Sequence, residues 1–149
     1  MSTVRFFIAG EPKGQPRVKA FVRGKHAGVF DPGTADGWKL LVRSEASRAG
    51  GPNFTGPVSL SLVFWFARPA AHHKSSDKAR ELKPNVPCNH VGKPDADNLA
   101  KAVMDALTNL GTYWRDDSQV ARLTIDKRYV DARLCAVPGC SVEVWEVSP

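Results

Sequence analysis

The chain has 149 residues, 42% apolar and 24% charged, which leaves room for one domain and excludes wholesale disorder. The longest apolar run, 60–67, is interrupted by Ser61 and falls far short of the ~18 residues a membrane span needs. Lys and Arg number 21 against 15 Asp and Glu, a net charge of +6 that suits a polyanionic partner but fits equally a basic protein with none.

Residues 4–8 read as a strand ended by Gly10, and 11–17, with Pro12, Gly14 and Pro16, as a loop. Short β-like pieces at 18–23 and 28–30 flank Gly24-Lys25-His26-Ala27 as a hairpin, followed by a turn at 31–34. Thr34 or Asp36 is expected to cap a helix to about Ala49. Its apolar side is Trp38, Leu41, Val42 and Ala46, and Gly50-Gly51-Pro52 stops it. Residues 58–67 begin alternating and become continuously apolar, as a central strand does. Residues 68–94 are polar and aperiodic, a long loop with a short helix expected around 77–82.

Asp97 or Asn98 is expected to open a second helix that runs to about Leu110 and is closed by Gly111. Its stripe is Leu99, Ala102, Val103, Ala106, Leu107 and Leu110. Residues 120–130 alternate, with Ala121, Leu123 and Ile125 on one side, and 141–147 give a last strand. The order predicts a single α+β domain over residues 1–149, a mixed β-sheet with two main helices.

Three unevenly spaced cysteines argue for a reducing compartment rather than a disulfide framework. Cys88, His90, Cys135 and Cys140 could be assembled into a zinc site on paper, but they lack the tight C-x2-C knuckle. Filler cysteines are the better reading, as loop histidines are for His72, His73 and His90. With no leader at the N-terminus, a soluble cytoplasmic protein is expected. Charge is unevenly spread: residues 1–75 hold 11 basic and 4 acidic side chains, residues 76–149 hold 10 and 11. Acids are therefore gathered in the second half.

Asp95 and Asp97 lie two apart just before the second helix, and Lys101 and Asp105 follow Asp97 at i+4 and i+8 on one face. Paired carboxylates are hard oxygen ligands that recruit Mg²⁺ or Mn²⁺. A lysine one turn away can offset charge on a phosphoryl oxygen. The plainer account makes these residues an N-cap, a favourable charge at the helix start and an exposed i, i+4 pair. Asp116 and Asp117 stand at the entry of the next strand. A helix of ~20 Å would leave them at its far end unless the loop reaches back or a partner subunit supplies its copy; otherwise they are a solvated turn.

The run Lys93-Pro94-Asp95-Ala96-Asp97-Asn98-Leu99-Ala100-Lys101, followed by Asp116-Asp117-Ser118-Gln119-Val120, resembles RusA-type Holliday junction resolvases of bacteria and their phages. The resemblance covers 93–128 closely and extends more loosely to 10–17. It implies that Asp95, Asp97 and one of Asp116 and Asp117 bind Mg²⁺, which Mn²⁺ can replace, and that Lys101 is the catalytic lysine. It further implies a homodimer that cuts opposed strands of a four-way DNA junction, with no small-molecule cofactor and no membrane. Lys13, Arg17, Lys19, Arg23 and Lys25 lie in a stretch, 12–30, without an acid and are the candidates for DNA backbone contacts.

Trp114, Phe21 and Phe30 could stack on unpaired bases, though core packing is favoured for each. The chain departs from the family pattern in the long 68–92 segment and the 135–140 loop. Two rivals remain: a non-catalytic branched-DNA-binding protein, and a D-x-D nucleotide phosphohydrolase. The first should have lost an acid. The second should show a glycine-rich phosphate loop, which is missing.

Overall fold

Period-two alternation in β1 (Thr3–Ala9) puts Val4, Phe6 and Ile8 on one face and Arg5 and Phe7 on the other. This pattern recurs through a computed structural model that describes residues 2–16, 19–30, 33–75 and 81–148, with residues 19–21, 29 and 30 described by their backbone alone. After β1 come β2 (Lys19–Arg23), β3 (His26–Phe30), α1 (Asp36–Ala49), β4 (Val58–Phe66), α2 (Ala96–Leu110), β5 (Val120–Tyr129) and β6 (Gly139–Glu146). Four strands form a mixed sheet in the order β1-β6-β4-β5, and β2 pairs with β3 as a separate ribbon. The expected α+β architecture with two helices is borne out.

β1 pairs with β6 and β6 with β4 in antiparallel fashion, while β4 pairs with β5 in parallel. A parallel neighbour requires a crossover, and α2 supplies it. Both helices cover one face of the sheet, where Leu60, Leu62 and Phe64 meet Trp38, Val42 and Ala46 of α1 and Leu99, Val103, Ala106 and Leu107 of α2. Burial of each aliphatic side chain contributes about 1.5–3 kcal/mol. β4 is central, which explains its continuous apolar run. Even Trp65, on the face away from the helices, is buried and donates from Nε1 to Ser141 Oγ at 3.3 Å.

Several boundaries differ from expectation. The residue before α1 is Ala35, with no side-chain cap, rather than Thr34 or Asp36. Leu41 lies over Gly10 at the margin of the core and stays 46% exposed. α2 begins earlier than expected, with Asp95 at its N-cap, and ends at Gly111 in the left-handed region (φ 77°), whose N–H bonds Leu107 O. On β5, Ala121 and Leu123 are exposed because β5 is an edge strand, so only Ile125 of the expected stripe packs against the core.

The described parts of the 68–94 segment, 68–75 and 81–94, carry more backbone hydrogen bonds than their composition implies. The helix expected at 77–82 falls mostly outside the described residues. Around it, Lys74 N–H bonds Glu81 O and Lys83 N–H bonds His72 O, both at 2.9 Å. Further on, Tyr129 N–H bonds Cys88 O (2.9 Å) and His90 N–H bonds Lys127 O (3.0 Å), which fastens 88–90 to the end of β5. Arg68 reaches across, donating to Val130 O and Pro87 O. His90 stacks on Phe66 at 4.0 Å and meets Tyr129 edge-on. Burial, reinforced by Lys127, holds its pKa below the usual histidine value. Among the described residues no helix is long and apolar enough to cross a membrane.

Tyr113 is fully buried and donates to Ala46 O at 2.8 Å; burial pushes its pKa up to about 12. Gly139, where β6 begins between Ala9 and Trp65, is equally constrained. A Cβ there would overlap the Ile8 carbonyl oxygen and the Phe7 ring. Gly139→Ala should therefore cost about 1–3 kcal/mol through overpacking, read as a lower urea midpoint at unchanged slope.

Candidate functional site

Aspartate caps helices well because its carboxylate accepts the N2 and N3 amides, a contribution of about 1 kcal/mol. Asp95 occupies the N-cap of α2 in extended conformation (φ −69°, ψ 149°), yet makes no capping hydrogen bond. The Asn98 amide donates instead to Asp97 Oδ1 at 2.9 Å. Asp95 is among the charges that act on Lys127, near the end of β5. Burial lowers the Lys127 pKa and the Asp95 charge pulls it back up, while the ammonium donates to Gly92 O at 2.5 Å.

Asp97 is exposed in the first turn of α2, and Lys101 follows one turn on. Lys101 Nζ lies 3.7 Å from Asp105 Oδ1, and Lys39 Nζ, from α1, lies 4.0 Å from Asp105 Oδ2. Asp105 thus stands between two lysines. Its contacts orient Lys101, whose side chain is otherwise 60% exposed.

The 11–16 loop closes over the start of α2. Gln15 N–H donates to Asn98 O at 2.8 Å. A Cβ on Gly14 would come within 3.1 Å of Pro94 Cβ and 3.2 Å of Asn98 Cβ, so the close approach favours glycine. Between loop and helix lies a cleft of about 370 Å³, lined by Lys13, Thr34, Lys93, Asp95 and Asn98 among others. Two lysines and a carboxylate in one cleft are suited to a phosphodiester brought next to a cation.

Asp116 and Asp117 sit elsewhere. α2 has 15 residues and spans about 22 Å, and the two acids follow its far end, beside Phe54 and Gly56. Here Asp116 caps the short turn Asp117–Gln119 in a reciprocal capping box. Its carboxylate accepts the Ser118 hydroxyl (2.5 Å), the main cause of a lowered pKa. The Gln119 side chain accepts from Arg115 N–H (2.8 Å) and donates to Phe54 O and Gly56 O. Asp117 is half-buried, and among the described residues its carboxylate has no hydrogen bond or ion pair.

The structure therefore places Asp95 with Lys13 and Lys93 at the cleft, sets Asp97 and Lys101 on the adjoining first turns of α2, and leaves Asp116 and Asp117 beyond the opposite end of that helix. Among the described residues no three His, Cys, Asp or Glu side chains form a metal-binding group. Arg23 and Lys25 are exposed on the β2–β3 ribbon. Lys19 is in β2, described by backbone only, and Arg17 lies outside the described residues, as do the side chains of Phe21 and Phe30. Trp114 is 1% exposed and donates to Thr108 Oγ1 (2.8 Å), so it is core. Cys140 is buried, with its thiol pKa pushed up by burial, whereas Cys88 is exposed.

Two features escaped the sequence reading. One is the Lys39–Asp105–Lys101 cluster, which needs the α1–α2 packing to be known. The other is Lys127, whose signal was present: it continues the Leu123, Ile125 stripe at a position where an apolar residue is expected.

Comparison with known proteins agrees with the resemblance drawn from the motifs. The family model described as Endodeoxyribonuclease RusA matches residues 9–136. An uncharacterized protein of Bacillus subtilis (strain 168), YqaN, is 31% identical over 149 residues, covering 99% of each chain.

The two acids of the turn should separate in a stability measurement. Asp116→Ala should lower the thermal midpoint, whereas Asp117→Ala should leave it near the parent value. Because the Asp116 pKa is lowered on folding, its contribution is present above the ordinary carboxylate pKa and is lost as the pH falls through the lowered value. The gap between the two variants should therefore close in acid.

Proposed function

The chain belongs to the RusA endodeoxyribonuclease family, and from that premise we propose that it is a Mg²⁺-dependent homodimer that resolves four-way DNA junctions by paired symmetric nicks, in recombination and repair. The observation that carries this reading is Asp95: a carboxylate at a helix cap that leaves the cap unmade and stands beside Asp97 at a cleft walled by Lys13 and Lys93. A structural aspartate would have taken the amides.

Two carboxylates fit Mg²⁺, which commonly binds one or two protein carboxylates and fills its other positions with water and substrate phosphate. Asp95 and Asp97 would hold it, and once bound it would activate a water for in-line attack at phosphorus and stabilise the leaving 3′-oxygen. Lys101, one turn along α2, faces the charge that develops on the phosphoryl oxygens. Asp105 restrains that lysine without burying it. Lys13 and Lys93 take the flanking phosphates, and Arg17, Lys19, Arg23 and Lys25 extend the basic track.

The third carboxylate comes from a second copy. Of the acidic pair, Asp116 is committed to its cap, so Asp117 is the ligand. Antiparallel pairing of two β5 edges about a two-fold axis would set the start of one β5 beside the end of the other, the end of the layer at which α2 begins. An isologous dimer also carries two equal sites, matched to two opposed cuts.

A mixing experiment tests the arrangement. Asp95→Asn and Asp117→Asn homodimers should each fail to cut a cruciform plasmid. Reassorted together, they should regain nicking but yield little linear product, because only one of the two shared sites is rebuilt intact. Continued inactivity of reassorted mixtures would place all ligands within one chain. In a second test, Lys13→Ala with Arg17→Ala should flatten the dependence of log K on log salt by about 1–2 units, equally for junction and linear duplex. An unchanged slope would move the DNA path off this loop.

A further inference from the structure

Asp97, Lys101 and Asp105 follow one another at four-residue steps along α2, so Lys101 has a carboxylate one turn to either side. Helix geometry favours the first of them. Side chains lean toward the helix N-terminus, and an acid four residues before a lysine pairs better than one four residues after it. Lys101 nevertheless lies on Asp105, its Nζ 3.7 Å from Oδ1. Among the described residues Asp97 has no ion pair, and its Oδ1 accepts the Asn98 amide instead. Burial supplies the reason. Asp105 is half-buried, and its other oxygen lies 4.0 Å from Nζ of Lys39, a largely buried side chain that reaches over from α1. A carboxylate set between two helices is screened less than one in an open first turn, so its pull on Lys101 outweighs that of Asp97.

We propose that Asp105 is a positioning residue that acts through Lys101: it draws the lysine ammonium one turn away from Asp97 and keeps that carboxylate open to a divalent cation. A lysine seated on Asp97 would compete with the metal for the same oxygens and add a positive charge beside it. Held on Asp105, it stays one turn from the site without occupying it. The value of this arrangement for cleavage rests on the reading of Asp95 and Asp97 as Mg²⁺ ligands; the hold on Lys101 does not.

The hold is tested without metal or DNA by a water-soluble carbodiimide, which joins a lysine amine to a contacting carboxylate as an amide, with loss of water. Fragmentation of the peptide that carries Lys101 then shows which aspartate it has joined. The parent should link Lys101 to Asp105. In Asp105→Asn, which keeps the size of the side chain and removes its charge, the link should move to Asp97. A parent that links Lys101 to Asp97 or to neither, or an Asp105→Asn protein without the Asp97 link, would overturn the proposal. Should that variant fail to fold, the link formed by the parent decides.

Mn²⁺ affinity, followed by the paramagnetic resonance signal of the free ion at physiological salt and without DNA, tests the consequence. Asp105→Asn should weaken binding roughly 3- to 10-fold, and Asp105→Glu should recover most of it. The loss should vanish in a Lys101→Met background, because Asp105 lies about 12 Å along the helix from Asp97, beyond the reach of its own charge at that salt. An equal loss in both backgrounds, or none in either, would overturn the action of Asp105 on the metal pair. A moved link in a protein that binds no Mn²⁺ would uphold the hold on Lys101 and reject the metal reading.

Discussion

Parallel pairing of β4 with β5 is the constraint on which the rest of this molecule depends. The chain cannot make a tight turn between parallel neighbours; it must travel back along the sheet first. It does so through α2, which therefore runs against both strands and sets its N-terminus over their C-terminal ends. Asp95 and Asp97 consequently share one end of the layer with Lys127, while Asp117 enters β5 at the other. The partial positive charge of the helix start, two lysines of the cleft and the carboxylates all converge there because one strand pair is parallel.

The same topology explains what could be read from the residues. β4 was legible because a central strand is covered on both sides, so its apolar run is unbroken toward Phe66. The stripe of α2 was legible because it faces a sheet along its whole length. The aspartate pair stood out by spacing alone. The cap of α2 did not: Asp95, Asp97 and Asn98 are all good capping residues, and spacing alone does not choose among them. Leu123 reads as core in a list of alternating residues and lies at an open edge in space. The placement of 88–90 comes from backbone bonds to the end of β5, which side-chain pattern does not record.

The acidic turn shows how adjacent identical residues divide labour. Asp116 closes a capping box with Gln119, a spacing that the sequence displays as Asp-x-x-Gln. Gln119 then ties the turn to Phe54 and Gly56, ahead of β4. With one acid spent on local structure, its neighbour is held at the surface by a turn it does not itself stabilise. Serine and glutamine in this motif thereby have structural work, and Asp117 is the member of the pair that the turn does not use.

The docking of Gly14 and Gln15 against Pro94 and Asn98 has a mechanical consequence. Because the lysine-bearing loop is bonded to the first turn of α2, Lys13 and Asp95 ride on one frame instead of on two parts that flex independently. On the proposed reading, a strand held by the first would be presented to the second at a set offset along its backbone. Under that reading the molecule would work as a gauge: where it grips would dictate where it acts, and lengthening the loop by a residue would recalibrate the distance between the two without altering either group.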